Sequence, residues 1–259
     1  MNKIEDEVAE IDAKIRLLVQ KKQAVTDILN YKEKRVHFFD FGKHHANAYY
    51  NIMYSDGGKK FHFLNNSGVN LGDNTGAVYA ELVAGNMGVF RLSIGTTVAN
   101  SSEEEEEKET QDEAFQRLAT NGGNTVLKAE YPLLNIFSKD NQYNFLGRFL
   151  AKGAADFPAF GTETKDFAGS LSAGLDFYAD AATENQEIRL YGNFNLSYIW
   201  ASDTYATNLG IVNDNFTFGT VTVGVVVLNK LNLSVLLSSV SSEQHLRNHH
   251  VIIGGTLLL

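Results

Sequence analysis

Long runs of alternating apolar and polar residues occupy most of the chain after about residue 35. In the clearest run, from Glu187 to Trp200, the apolar residues include Ile188 and Leu190 on one face. Arg189 and Asn193 lie on the other face. Side chains alternate between the two faces of a β-strand, so a period of two predicts strands with one apolar face. Several runs pass ten residues, whereas strands in globular proteins average roughly five or six. The chain is therefore constrained to long amphipathic strands.

The composition agrees with extensive strand pairing and excludes several kinds of site. Only 2 prolines occur beside 22 glycines, and proline cannot donate to a strand ladder. Cysteine is absent, which excludes disulfides and thiolate zinc sites. The net charge of -9 argues against nucleic-acid binding. No apolar run approaches the roughly 18 residues of a transmembrane helix.

Turn signals divide the chain into strands whose connections alternate between short and long. Short turns are predicted at 55–58, 85–87, 138–141 and 229–230, and longer connections at 66–75, 99–122, 154–166, 201–213 and 241–247. This alternation, with strands near the roughly 9–11 residues of a tilted membrane-spanning strand, predicts an all-β, single antiparallel transmembrane β-barrel. About twelve strands are expected, at 35–41, 45–54, 59–65, 76–84, 88–98, 123–134, 142–153, 167–179, 186–200, 214–228, 231–240 and 248–258.

The polar faces of these strands are rich in Asn, Ser, Gly and Tyr, which favours a confined wet interior over the surface of a soluble β-sandwich, the alternative fold. A charged set on the same faces is predicted to line the lumen. Its members are Glu81, Arg91, Lys128, Glu130, Arg148, Lys152, Asp176, Glu187 and Arg189. They form either a constriction that selects small solutes or a mutually paired filling of a narrow barrel. Aromatic residues near strand ends predict two interfacial girdles, at Tyr50, Tyr54, Tyr143, Tyr198 and Trp200.

The first thirty residues instead follow a helical period. Apolar residues recur at steps of three, four and seven, as in an a/d heptad stripe, at Ile4, Val8, Ile11, Ile15, Leu18, Val25 and Leu29. We therefore divide the chain into an N-terminal helical segment, 1–33, and a barrel domain, 34–259. The helix is interpreted as a coiled coil that self-associates or binds a protein, as a helix packed on the barrel, or as a lumen plug. Acidic residues occupy the place of a signal-peptide core.

Residues 35–259 resemble the outer-membrane β-barrel proteins of Gram-negative bacteria at class level. The resemblance rests on repeated amphipathic strands such as 187–200 and on a strand-like C-terminus at 251–259. That class often ends in an aromatic residue, whereas this chain ends in Leu259. The ending also resembles the last strand of mitochondrial outer-membrane barrels. The resemblance implies a bacterial outer membrane, with an organelle outer membrane as the second possibility.

We expect a narrow, porin-like channel for small solutes that contacts membrane lipid. The alternative is a closed structural or interaction barrel that binds a partner through its N-terminal helix or long loops. A membrane hydrolase is a weaker alternative, since no G-x-S-x-G motif accompanies the serines near His245. No catalytic residue, metal ligand or cofactor is assigned, and the chain is not expected to be an enzyme. Adjacent histidines such as His44 and His45 would point to opposite faces of a strand.

Overall fold

A computed structural model describes most of the chain. The described residues are 2–33, 35–42, 46, 49–50, 53–54, 62–63, 66–72, 75–101, 106–140, 142–157, 166–228, 230–247 and 252–258. The α-helices whose bounds lie within the described residues are α1 (Asn2–Glu33), α2 (Glu106–Thr120) and α3 (Asp203–Asn208). The strands are β1 (Val36–Phe38), β2 (His62–Phe63), β3 (Asn66–Leu71), β4 (Thr75–Met87), β5 (Phe90–Ser101), β6 (Thr125–Phe137), β7 (Tyr143–Asp156), β8 (Ala168–Ala182), β9 (Ile188–Ala201), β10 (Asn215–Val227), β11 (Leu231–Ser241) and β12 (Ile252–Leu258).

The strands close into an antiparallel barrel. Each strand from β3 to β12 pairs with the next along the chain, and β12 returns to pair with β3. The short strand β2 pairs with β4 beyond the end of β3, so β2 and β3 share one position in the ring. The ring thus has ten positions among the described residues, and the expectation of about twelve strands was wrong. A closed ring leaves no strand edge to aggregate.

Two predicted strands account for the difference. The first, 35–41, is reduced to β1, which pairs with Leu134–Ile136 of β6, past the residues that β5 covers, and therefore lies outside the ring. The second, 45–54, has helical backbone wherever it is described. We call its described residues the lumen segment: Ala46, Tyr49, Tyr50, Met53 and Tyr54. Residues four apart share a face in a strand and in a helix, so the pattern of this segment could not separate the two.

The wall of the barrel has an apolar outer face and a polar inner face. On β8, Leu171 and Leu175 point outward while Asp176 is buried inside. On β9, Leu190 and Trp200 point outward and Arg189 is buried inside. Except for Phe177, the outward Phe, Leu, Tyr and Trp side chains of β8 and β9 are 38 to 64% exposed. The predicted orientation of the apolar rows is therefore confirmed.

Connections of different length lie at the two ends of the barrel. The links 88–89, 138–142, 183–187 and 228–230 define the short-turn end. The links 72–74, 102–124, 157–167, 202–214 and 242–251 define the long-loop end, which carries α2 and α3. The predicted long connection 66–75 is mostly strand β3, so that link is short. The connection between β5 and β6 contains α2.

Helix α1 presents apolar side chains to solvent. Val8, Ile15 and Leu18 of the predicted stripe are exposed, and so are Leu17 and Val19, which lie outside it. Since apolar exposure is not confined to the stripe, the described residues show no heptad seam, and a coiled coil is not supported by this single chain. Among the described residues, no helix is both long and apolar enough to cross a membrane.

Removing residues 2–33 should leave the barrel folded, because the ring is built from the short strand β2 and from residues that begin with Asn66. Heat-dependent mobility of the purified protein on gels, compared with that of the full chain, measures this. Loss of the folded band would show that α1 is part of the barrel fold. If the mass of the protein–detergent complex fell by the mass of one or more protomers, α1 would be responsible for self-association.

Candidate functional site

The carboxylate of Glu130, on β6 inside the barrel, is the centre of a charged network. Its oxygens lie 2.9 Å from Lys128 Nζ, 2.5 Å from Arg148 Nη1 and 3.2 Å from Arg91 Nη1. The Tyr54 hydroxyl lies 2.7 Å from each Glu130 oxygen and donates a hydrogen bond to this carboxylate. Glu130 is only 1% exposed. A carboxylate so deeply buried requires compensation of this kind, because an unpaired charge would be strongly disfavoured there.

Arg91, on β5, extends the network toward β4. Its two terminal nitrogens donate to the two oxygens of Glu81, at 2.8 and 2.6 Å. The guanidinium also lies over the Tyr54 ring, 3.8 Å from the ring centroid. The flat guanidinium suits both the bidentate pairing and the contact with the ring face, and a lysine would lose the bidentate pairing. Arg91 thus holds the β4 wall and the lumen segment together.

Arg148, on β7, extends the network toward β8. Its Nε donates to Asp176 at 2.9 Å, and its Nη1 donates to the Tyr54 hydroxyl. Asn193 of β9 donates to the other Asp176 oxygen at 2.9 Å. The network therefore crosses six neighbouring strands, from β4 to β9, and includes one residue of the lumen segment.

A separate ion pair lies nearer the short-turn end. Arg189 Nη1 is 2.8 Å from Asp180, whose other oxygen accepts a hydrogen bond of 3.0 Å from Asn144. The three side chains come from three neighbouring strands and are all buried. They pair charges without contacting the central network through any described hydrogen bond.

Eight of the nine predicted lumen residues lie on the inner wall. These are Glu81, Arg91, Lys128, Glu130, Arg148, Lys152, Asp176 and Arg189. Glu187 was placed in the lumen wrongly. It precedes the first residue of β9 and lies exposed in a turn, where Asn185 donates to its carboxylate at 2.6 Å. The alternation was extended to a position that falls beyond the end of the barrel wall.

The lumen segment, which sequence analysis read as a strand, occupies the barrel at the short-turn end. The Tyr50 hydroxyl lies 3.0 Å from the backbone oxygens of Val89 and Glu130. The segment packs against Phe137 and Leu146 of the wall in one buried cluster. The predicted girdle positions Tyr50 and Tyr54 are therefore buried inside, not exposed at a membrane interface. Tyr143, Tyr198 and Trp200 do face outward.

The long-loop end is occupied by α2 and α3. Helix α2 ends at Thr120, and Gly122 after it has a φ of +112°, a left-handed conformation that favours glycine. The amide of Gly122 donates to the Arg117 carbonyl at 2.8 Å. The Tyr205 hydroxyl of α3 donates to the Gly122 carbonyl at 2.5 Å. Burial raises the pKa of Tyr205, which keeps this donor protonated. Phe115 and Phe218 join Tyr205 in an apolar cluster that covers this end.

Polar contacts fix α2 to the wall. Arg117 is buried and lies 3.2 Å from Glu113 and 3.4 Å from Asp156 of β7. Asn70 of β3 donates to the Thr120 hydroxyl at 2.9 Å. Helix α2 is therefore held between opposite sides of the ring rather than lying free in the loop.

Among the described residues, cavities of about 270 and 240 Å³ lie between these end fillings. Both cavities are lined by the same four residues, which therefore lie at the boundary between them: Thr120, Asn121, Lys128 and Arg148. Among the described residues, no group of three His, Asp or Glu side chains could hold a metal ion. The interior can therefore accommodate water or small polar solutes in contact with fixed charges.

Comparison with known proteins finds similarity only among solved structures. No family model matches the chain, and no curated protein matches it. A porin refined at 1.8 Å resolution has 6% identity and a TM-score of 0.26 over 73% of this chain and 59% of its own. The chain therefore spans less than two thirds of that porin.

Two further structures are similar. The NanC porin has 10% identity and a TM-score of 0.32, over 75% of this chain and 98% of its own. The β domain of the Bordetella autotransporter BrkA has 10% identity and a TM-score of 0.31, over 71% of this chain and 74% of its own. The class-level resemblance to outer-membrane β-barrels is confirmed, since the chain forms a closed antiparallel barrel.

Replacing Glu130 with Gln should lower the free energy of unfolding by roughly 3 kcal/mol, because three cations lose their shared buried counter-charge. Urea unfolding in detergent, followed by the fluorescence of Trp200, the only tryptophan, measures the change. Glu187→Gln is the matched control, since it removes a carboxylate from an exposed turn. Equal midpoints for the two variants would show that the network does not hold the barrel together.

Proposed function

We propose that this barrel spans an outer membrane, bacterial in the first instance, with its outward apolar rows in contact with acyl chains. On β7 and β8, the outward positions between Tyr143 and Ala181 carry only Tyr, Phe, Leu, Gly and Ala. Charges on the same strands, such as Arg148 and Asp176, are turned inward. A soluble barrel would have the opposite arrangement, with its charges outside.

The outward apolar face extends around the ring, and this extent supports contact with lipid. Water-exposed apolar patches on soluble monomers rarely exceed roughly 300–600 Å², whereas exposed Leu, Phe and Val side chains occur on strands throughout this ring. Tyr198 and Trp200 lie together at the long-loop end of β9, with ring centroids 4.9 Å apart. Aromatic pairs of this kind suit a membrane–water interface.

Within that membrane barrel, we propose that the lumen is a narrow passage for small solutes whose filled ends restrict entry. The observation that supports this most is the pair of polar cavities lined by fixed charges between the lumen segment and α2. Arg91, Glu130 and Arg148 would form the constriction, with the Tyr54 side chain among them. Movement of the lumen segment would then widen the path at the short-turn end.

The second candidate is a closed structural or interaction barrel. It is favoured by the filling of both ends and by the exposed apolar residues of α1, which could bind a protein partner or a second copy through the predicted stripe. A hydrolase is not proposed, because two of the serines before His245 donate their hydroxyl hydrogens to backbone carbonyls. The hydroxyl of Ser239 donates to the Leu246 carbonyl at 2.8 Å, and that of Ser238 donates to the Ser239 carbonyl at 3.3 Å.

The membrane assignment predicts that Trp200 lies at or near acyl chains. In vesicles of lipids brominated along the acyl chain, the fluorescence of the folded protein should be quenched, and most strongly by bromines close to the carbonyl end. Trp200 is the only tryptophan, so the signal has one origin. Emission equal to that in unbrominated vesicles would place the apolar rows away from lipid and would favour a soluble barrel.

The passage assignment predicts a low conductance that rises when the lumen segment is released. The double variant Tyr50→Ala and Tyr54→Ala removes the hydrogen bonds to Glu130 and the ring beneath Arg91. In planar bilayers its single-channel conductance should exceed that of the parent severalfold. Tyr143→Ala, which alters an outward tyrosine, is the control. A flat current for both parent and double variant, with folded protein confirmed, would favour the structural barrel.

A further inference from the structure

Two lysines lie side by side on the inner wall of the barrel. Lys128 of β6 and Lys152 of β7 are direct partners in the antiparallel register, and both line the larger cavity. Like charges directly opposite on neighbouring strands repel each other and destabilise the pair. A sequence selected only for a paired filling of the barrel would not place them so, which suggests that the pair serves a ligand.

The two lysines differ in how their charge is compensated. Lys128 Nζ lies 2.9 Å from Glu130 and 3.9 Å from Glu81. Lys152 has no ion pair with a carboxylate anywhere in the described part of the chain. The described residues therefore compensate its charge less closely than that of Lys128.

The charge balance of this region favours an anion. The network and Lys152 together carry four cations, at Arg91, Lys128, Arg148 and Lys152, against three carboxylates, at Glu81, Glu130 and Asp176. On the wall of the larger cavity itself, three cations face one carboxylate. In a confined space such an excess attracts a counter-ion more strongly than it would at an open surface.

The rest of the cavity wall supplies neutral hydrogen-bonding groups. Hydroxyls and amides from β8, β9 and β10 line it, at Ser170, Ser172, Asn193, Asn195, Thr220 and Thr222. Such groups orient a polar ligand without changing the charge balance. The volume of about 270 Å³ is at the lower limit of small-molecule pockets, which indicates a small ligand.

We propose that the larger lumen cavity binds a small oxyanion, a carboxylate or a phosphate, with the Lys152 ammonium as its principal charge partner. Serine and threonine hydroxyls of the neighbouring strands β8 and β10 donate to the remaining oxygens. The proposal deepens the proposed function, on which it rests for its meaning in transport, because it names the class of solute that the passage would admit. Binding itself requires only the folded barrel.

The test measures anion binding to the full chain refolded in detergent. Because both ends of the barrel are filled, sodium phosphate or sodium acetate is present during refolding, so that access does not limit binding. Sodium chloride at equal ionic strength is the reference. The apparent affinity is taken from the rise in the urea midpoint with anion concentration. Phosphate or acetate should raise the midpoint at millimolar concentration, beyond the effect of chloride.

Lys152→Gln should weaken the anion response at least tenfold, and without anion it should raise the urea midpoint, because repulsion from Lys128 is removed. Lys139→Gln, which removes an exposed lysine at the short-turn end, should behave like the parent. Lys152→Arg keeps the charge and should retain the response, which keeps the test valid if Lys152→Gln folds poorly. A parent response equal to that in chloride, or an unchanged response in Lys152→Gln, would overturn the site.

Failure of this site and failure of the passage give different results. Anion binding without conductance, in both the parent and the lumen-segment variant, leaves the site in place and removes the transport role. Conductance without anion-specific stabilisation removes the site and leaves the passage. In a conducting protein, the reversal potential across a potassium chloride gradient should indicate preference for the anion, and Lys152→Gln should reduce that preference.

Discussion

The compensation of one buried carboxylate, that of Glu130, determines how the barrel interior is arranged. Three cations from β5, β6 and β7 and one phenol from the lumen segment converge on it. Each of those partners would be costly to bury alone, and Glu130 supplies a counter-charge that the three cations share. Because Tyr54 belongs to this set, the position of the lumen segment is tied to the register of the wall strands.

Closure of the ring explains why the outer and inner faces of the wall differ in polarity. Once β12 pairs with β3, every strand has two neighbours, and the backbone polar groups of the wall are bonded within the ring. Side chains then have only two directions, outward or inward. The apolar rows take the outward one and the charges the inward one. A ten-position ring is wide enough for a filled but not fully packed interior, in agreement with two small cavities.

The two ends of the barrel are filled by different sets of side chains. At the short-turn end, aromatic rings of the lumen segment pack on the wall and meet the charged network through Tyr54. At the long-loop end, an apolar cluster of α2 and α3 is held by the buried ion pairs of Arg117. The filling of the short-turn end therefore shares hydrogen bonds with the charged network.

Most of the wall could be predicted from sequence, and the interior fillings could not. Alternation along Ile188–Ala201 assigned each side chain to its face correctly, because a strand has only two faces. The same rule failed for Tyr50 and Tyr54, since a spacing of four fits a strand and a helix alike. It also placed Glu187 in the lumen, because alternation does not mark where the wall ends.

The sequence by itself determined that long strands would expose apolar rows on one face and polar side chains on the other, since both properties are local to each strand. Only the tertiary structure decided that the ring closes with ten positions, that the lumen segment has helical backbone inside the barrel, and that Lys152 lies beside Lys128. Those outcomes depend on register and closure between distant segments, which no local pattern encodes.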